Sequence, residues 1–474
     1  MITLFLILLP LAGLLAVWCS GNSLKLQAAL LNIGAALHCI GVALLWIKPE
    51  WDNTLPANIT VLIGQDVLSR TVLTTISVLF LLSSLQTVKY FPMVRKHFAM
   101  RAEKFLSPQL VVICLLGFLS SMTLVASSRN FGLLWVAMEA TTLASAPLII
   151  FNRNGDSLEA MWKYILICSV GIGFALFGTM LLAISGQATH AGMDMALLGM
   201  SKLDPMWFKA AFVFMLAGYG TKMGLAPFHS WMPDAYSEAP GVLSVLSSGA
   251  LLACSFLGVA RVLEVAPAEA AAFCRQLMMA LGLLSLALAA FFIIRQQDYK
   301  RMLAYSSMEH MGLTALLWAL DLQTVALLHI IVHALLKVVL FMTADNIQLA
   351  CGTQKINSIS GLLGVIRRNG IIYLIAVLML CGMPPSPLFI TEMYLVAKAG
   401  PILGAVILLL LFVVFAGMTY HVMRMTMGRN HGCVIDGKEI GDLEKLTVIP
   451  GGVLSVCTVG GILLIAALAA FEFV

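Results

Sequence analysis

The sequence is poor in charge, and its other scarcities point the same way. Asp, Glu, Lys and Arg make up 11% of 474 residues, against 61% hydrophobic residues. So few ionisable groups cannot clothe a water-facing surface, which excludes an ordinary soluble globular protein. The formal net charge of +5 is small and scattered over loops, which argues against nucleic-acid binding. Ten cysteines occur singly, at Cys19, Cys39, Cys114, Cys168, Cys254, Cys274, Cys351, Cys381, Cys433 and Cys457. No Cys-x-x-Cys pair exists, so no zinc or iron–sulfur site is indicated, and the thiols read as small core residues. A phosphate-binding glycine loop and a nucleophile–base constellation are missing too. The longest polar stretch, 424–445, is no soluble domain. Any soluble chemistry therefore belongs to another chain.

What is present is a succession of apolar runs, each of roughly 18–25 residues and long enough to span a bilayer. They fall at 2–19, 24–47, 66–91, 107–126, 130–150, 163–185, 206–226, 240–263, 274–294, 302–320, 323–348, 370–395, 402–424 and 451–471. The chain is thus expected to be an all-α integral membrane protein of about fourteen transmembrane helices. The first run lacks the basic flank of a signal peptide and reads as a spanning helix. The run 67–91 carries Ser, Thr and Arg70 and is expected inside the bundle, whereas Ile402–Phe415 and Gly460–Ala470 look lipid-facing. Basic clusters fall on one set of loops: Lys89/Arg95/Lys96/Arg101/Lys104, Arg153/Lys163, Arg295/Lys300/Arg301, Lys355/Arg367/Arg368 and Arg424/Arg429/Lys438/Lys445. The positive-inside rule makes those loops cytoplasmic and puts both termini outside.

Two spans are interrupted. Gly218-Tyr219-Gly220-Thr221-Lys222-Met223-Gly224-Leu225-Ala226-Pro227 has glycine and proline at a density that loosens a helix and frees backbone carbonyls. Such a break survives in a bilayer only where protein or trapped water satisfies those groups. Lys222, in its middle, is a functional candidate rather than a lysine snorkelling from a helix end, because apolar sequence flanks it on both sides. His229 and Asp234, in the polar exit from the break, are secondary candidates. The second break is Cys381-Gly382-Met383-Pro384-Pro385-Ser386-Pro387, with Glu392 following in the same run. Two broken spans with ionisable groups, about five helices apart, suggest an inverted repeat with sites near the midplane.

Other ionisable groups lie inside apolar runs. Glu139 sits deep in the fifth span; a lone buried carboxylate would go neutral, so an ionised one needs a partner, for which Lys222 is the obvious choice. The bland reading is a carboxylate that merely bonds backbone or threonine. His329, His333 and Lys337 recur at i, i+4 and i+8 and share one helix face over about 12 Å. That spacing suits a hydrated proton relay; the competing reading is two histidines satisfied by neighbouring helices. No carboxylate or cysteine joins that face, so a metal site is not indicated. Glu309 and His310 are adjacent and are expected to serve different neighbours. Asp345 and Arg261 fall near helix ends and read as solvated or snorkelled.

The run 221–240, Thr-Lys-Met-Gly-Leu-Ala-Pro-Phe-His-Ser-Trp-Met-Pro-Asp-Ala-Tyr-Ser-Glu-Ala-Pro, resembles the signature of the antiporter-like subunits of respiratory complex I. The same family supplies subunits of multisubunit cation/proton antiporters and of membrane-bound nickel–iron hydrogenases. Asp298-Tyr299-Lys300-Arg301-Met302-Leu303-Ala304-Tyr305-Ser306-Ser307 and His329-x-x-x-His333-Ala334-Leu335-Leu336-Lys337 match further family motifs, and the likeness runs from about 110 to 425. Glu309-His310-Met311-Gly312 resembles most the hydrogenase-4 (formate hydrogenlyase) type.

The resemblance implies fourteen helices in four segments: three N-terminal helices (1–106), inverted five-helix repeats at 107–263 and 274–424, and a C-terminal loop and helix (425–474). Spans seven and twelve would be the broken ones. It implies a proton path through Glu139, Lys222, His329, His333, Lys337 and Glu392, with Glu309 and His310 in support. Many members carry a lysine or histidine in the eighth span, but 248–255 here offers none. The expected function is proton translocation in a redox-driven complex of the prokaryotic cytoplasmic membrane. Iron–sulfur and nickel–iron centres would belong to partner subunits, and this chain would carry no cofactor. The expected partners are other membrane subunits and a peripheral redox arm. The alternatives are a secondary sodium/proton antiporter without redox partners and a structural spacer.

Overall fold

The structure is a computed structural model that describes residues 1–21, 23–52, 57–101, 105–187, 192–429, 433 and 437–472. Its long helices are α1 (Ile2–Cys19), α2 (Leu24–Ile47), α3 (Val67–Arg101), α4 (Pro108–Ser127), α5 (Phe131–Ile149), α6 (Gly155–Ser185) and α7 (Pro205–Met223). After the short α8 (Trp231–Glu238) come α9 (Gly241–Glu264), α10 (Ala268–Ile294), α11 (Tyr299–Ala319) and α12 (Gln323–Cys351). Helices α13 (Arg367–Leu380), α14 (Pro387–Lys398), α15 (Pro401–Thr426) and α16 (Val448–Glu472) complete the chain. Polar residues at the ends of apolar runs set the starts. Asn130, Asp204 and Asp298 accept from the first free amides of α5, α7 and α11. Proline at the first helical position opens α4, α7, α14 and α15, where a missing N–H costs nothing.

Among the described residues, eleven helices are long and apolar enough to cross a membrane by length and composition. The other three expected spans fall short for a chemical reason. Helix α7 carries Lys209 and Lys222, α11 carries Lys300, Arg301 and Glu309, and the span at 367–398 is broken into α13 and α14. The basic cluster expected on a loop falls instead within α3, which carries Lys89, Arg95, Lys96 and Arg101; Lys104 lies outside the described residues, as do parts of the 424–446 connection.

The chain divides into two compact units. Unit 1 comprises Met1–Val88, Lys104–Trp231 and Ala250–Ala280; unit 2 comprises Lys89–Glu103, Met232–Gly249 and Leu281–Val474. In unit 1, α6 and α7 pack closely along a line of small residues. A Cβ on Gly218 would stand 2.6 Å from the Ala175 nitrogen, and one on Gly178 2.8 Å from the Met215 nitrogen. Close backbone approach of this kind is how membrane helices gain contact without a hydrophobic driving force. In unit 2, α11 is almost wholly buried, and α12 is buried from His329 to Ile347 apart from a few part-exposed positions. Helix α15 instead turns Ile402, Leu409 and Phe412 outward, and α16 exposes Ile462 and Leu463.

One expectation about cysteine is corrected. Cys351, at the end of α12, and Cys433 form a disulfide across 82 residues of sequence. Nothing in the local pattern marks the pair, because the return of the chain after α15 brings it together. Of the other eight cysteines, only Cys19 is exposed.

Candidate functional site

Helix α7 ends inside the membrane region because Gly224 adopts the left-handed conformation (φ 75°) and caps it, its N–H bonding to the carbonyls of Gly220 and Thr221. The Leu225 N–H also bonds to the Gly220 carbonyl, and the Trp231 indole donates to the Thr221 carbonyl at 2.9 Å. Backbone groups freed by the break thus find protein partners, as an apolar surround requires. The break delivers Lys222 to a fully buried position. Its Nζ donates to the Met138 carbonyl (2.5 Å) and to the Thr141 hydroxyl (2.6 Å), both on α5. Glu139, between them in sequence, points elsewhere. Its carboxylate accepts from the Ser169 hydroxyl of α6 at 2.8 Å and from Thr142 at 3.4 Å. Glu139 and Lys222 make no ion pair among the described residues, so the contact expected from sequence is replaced by proximity. Helical geometry is the reason: 138, 141 and 145 share a face that 139 leaves by about 100°.

Unit 2 repeats the device. Lys337 is fully buried on α12, and its Nζ donates to the Leu303 carbonyl (2.7 Å) and the Ser306 hydroxyl (2.6 Å) of α11. In both units an ammonium rests on the carbonyl of one residue and the hydroxyl three residues later. Beside it, His310 Nδ1 lies 3.1 Å from His329 Nε2, and His329 Nδ1 lies 2.8 Å from the Thr391 hydroxyl. The His333 ring stands 4.9 Å from that of His310, and neither of its nitrogens has a hydrogen-bond partner among the described residues. Adjacent Glu309 and His310 diverge. His310 joins the histidines, while Glu309 lies within Coulombic range of Lys337 and of Glu392. Glu392 is held against the second break: a Cβ on Gly382 would collide with its Oε2. Gly382 (φ 69°) repeats the role of Gly224, and each break has a proline three residues after its glycine, Pro227 and Pro385.

The family described as NADH:quinone oxidoreductase/Mrp antiporter, transmembrane region, matches residues 128–419 of this sequence. The chain belongs to this family. A relative from Methylacidiphilum infernorum (isolate V4), a hydrogenase-4 component F homolog, is 34% identical over 328 residues, covering 66% of this chain and 69% of its own. A chain of the membrane-bound sulfane sulfur reductase, an archaeal respiratory membrane complex, superposes with a TM-score of 0.81 at 20% identity, over 97% of this chain and 94% of its own. A chain of respiratory complex I from Thermus thermophilus superposes with a TM-score of 0.74 at 21% identity, over 96% and 97%. These two share the fold.

Within this antiporter-like membrane subunit, the sequence candidates separate into groups. Lys222 and Glu139 lie together in unit 1; Glu309, His310, His329, His333, Lys337 and Glu392 lie together in unit 2. His229 is half-buried in the turn after Pro227, and Asp234 pairs with Arg301 at 2.8 Å. The solvated or snorkelled reading is corrected for Asp345, which is buried, whereas Arg261 is part-exposed. Asp345 is 3% exposed, bound to Lys300 at 2.7 Å and to the Gly241 amide at 2.6 Å. Arg261 is bound to both Asp66 (2.6 Å) and Glu264 (2.7 Å). Sequence reasoning also missed Thr141, Ser306 and Thr391, the hydroxyls that seat Lys222, Lys337 and His329. A hydroxyl in an apolar span commonly bonds its own helix, so only the partner's position gives it meaning.

Proposed function

We propose that this subunit translocates protons within a redox-driven membrane complex of hydrogenase type. The observation that carries the reading is the seating of the two buried lysines, each on a carbonyl and a hydroxyl and neither in contact with a carboxylate. An ammonium buried without a contact counterion costs several kcal/mol, and in membrane proteins such a group marks an ion path. Carbonyl and hydroxyl hold the ammonium in place, while a carboxylate at a distance sets how firmly its proton is held. A shift in the Glu139 to Lys222 separation would then release or recapture a proton with no redox centre in this chain. The unpartnered nitrogens of His333 and the Glu392 Oε1 are positions for bridging water in a proton chain.

Energy for that shift comes from partner subunits: other membrane subunits and a peripheral arm holding iron–sulfur and nickel–iron centres. Support for such partners comes from the relative named as a hydrogenase-4 component and from the complexes that supply the structural neighbours. The matched pair of breaks supports two repeats, which we read as inverted within fourteen spans, and the basic residues gathered on alternate connections support both termini lying outside the cytoplasmic membrane. Lys222→Met in the assembled complex, in sealed vesicles, should abolish proton uptake while electron transfer continues. Full uptake by that variant ends this reading.

A further inference from the structure

A further buried histidine lies outside this site. His38, on α2, is fully buried, and both its ring nitrogens meet hydroxyls: Nδ1 lies 2.7 Å from Ser77 of α3 and Nε2 3.0 Å from Thr123 of α4. The polar line continues toward one end of unit 1. The Ser127 hydroxyl donates to the Thr123 carbonyl at 2.7 Å, and buried Gln65 donates to the Ser127 hydroxyl at 2.8 Å. Gln65 and Ser127 adjoin residues that line a cavity of about 500 Å³, whose charged and polar wall includes Asp66, Ser69, Ser128, Arg129, Arg261 and Glu264. Arg261 binds both Asp66 and the Ser69 hydroxyl there, at 2.6 and 2.8 Å. From His38 to the end of α2 at Ile47 is about 14 Å of helix, so the line reaches well into the membrane region.

An imidazole between two hydroxyls can accept a proton at one nitrogen and release one from the other, and hydroxyls pass protons in either direction. The Ser127 hydroxyl donates to a backbone carbonyl of its own helix and the Thr123 hydroxyl to that of Leu119, so conduction requires both hydroxyls to rotate and waters to carry the proton past the Gln65 amide to His38 and Ser77. A merely structural histidine requires neither the charged cavity nor a row leading to it.

We infer that His38 is a proton-transfer station in a second, hydrated file of unit 1, which opens through the cavity walled by Asp66, Arg261 and Glu264. This rests on the proton-translocating reading above. It places an opening to one membrane face among the three N-terminal helices and their neighbours.

The first test is access, in the assembled complex. Ser77→Cys should react with a small water-soluble methanethiosulfonate about tenfold faster than the buried neighbour Ile76→Cys, rates being corrected for native thiols. Adding Ala196→Trp, at an exposed cavity-lining position, should slow Ser77→Cys about threefold or more by narrowing the mouth. Equal rates at 77 and 76 would overturn the file, as would indifference to the tryptophan. The second test is transfer. His38→Gln keeps hydrogen-bonding groups for Ser77 and Thr123 but has no titrating imidazole, so a structural role survives it. Proton uptake per electron should fall about tenfold with electron transfer retained; wild-type uptake would overturn the role of His38. Labelling does not depend on transport, so its failure removes the file and leaves the Lys222 test untouched.

Discussion

At the scale of single residues, this protein separates charges that hold the fold from charges that are free to change. Lys300 and Asp345 are nearly inaccessible and in direct contact at 2.7 Å, and Asp345 also takes the first amide of α9. Removing one partner of such a pair strands the other, whereas replacing both with apolar groups often costs nothing. Asp345→Asn should therefore lose about 3 kcal/mol of stability, and Lys300→Met with Asp345→Leu should recover most of it. Thermal unfolding of the purified subunit or complex measures both; an Asp345→Asn protein as stable as wild type would show that the pair does not hold the fold. Lys222 and Lys337 differ in the one respect that matters, since neutral oxygens seat them. The sequence distinguishes these two kinds of lysine poorly. An ion pair spanning 45 residues, like the disulfide spanning 82, depends on chain return, which no local period records.

At the scale of elements, the breaks are the most legible feature, because glycine and proline act on the backbone wherever they stand. Gly224 and Gly382 were readable as interruptions, and both stop a helix in the left-handed conformation. What could not be read is that Gly382 is required a second time, by the Glu392 carboxylate against its Cα. Gly382→Ala should cost more than the roughly 1 kcal/mol of a positive-φ substitution alone, because the carboxylate must also move. Proton uptake should fall with it. Gly400→Ala is the control, since Gly400 also has a positive φ (82°) but no atom within 4 Å of an added Cβ. If the two variants transport equally, Glu392 does not depend on its seat at the break. Helix existence was similarly plain from the apolar runs, while membership of the buried set was not. Helix α11 carries Lys300, Arg301 and Glu309 yet lies almost wholly buried: Asp345 meets Lys300, and Arg301, paired with Asp234, reaches the exposed side.

In the whole molecule, each connection between spans meets one face of the membrane or the other. An even number of spans returns the C-terminus to the side of the N-terminus, and the basic connections alternate with connections poor in Lys and Arg. The cost of translocating basic loops then sets the orientation. Gln297, exposed between α10 and α11 beside Arg295, belongs to a basic connection. Met200, 79% exposed before α7, belongs to the opposite set. Gln297→Cys should therefore react with a membrane-impermeant maleimide only from the cytoplasmic side, and Met200→Cys only from outside. Both positions lie in the described connections and touch no candidate site, so labelling reports orientation rather than function. Reaction of both cysteines from the same side would mean that the spans between 200 and 297 are even in number rather than three, and the paired-repeat reading would fall with that count. Reversed sides would keep the repeats and invert the orientation, so that the cavity beside Asp66 would face the cytoplasm.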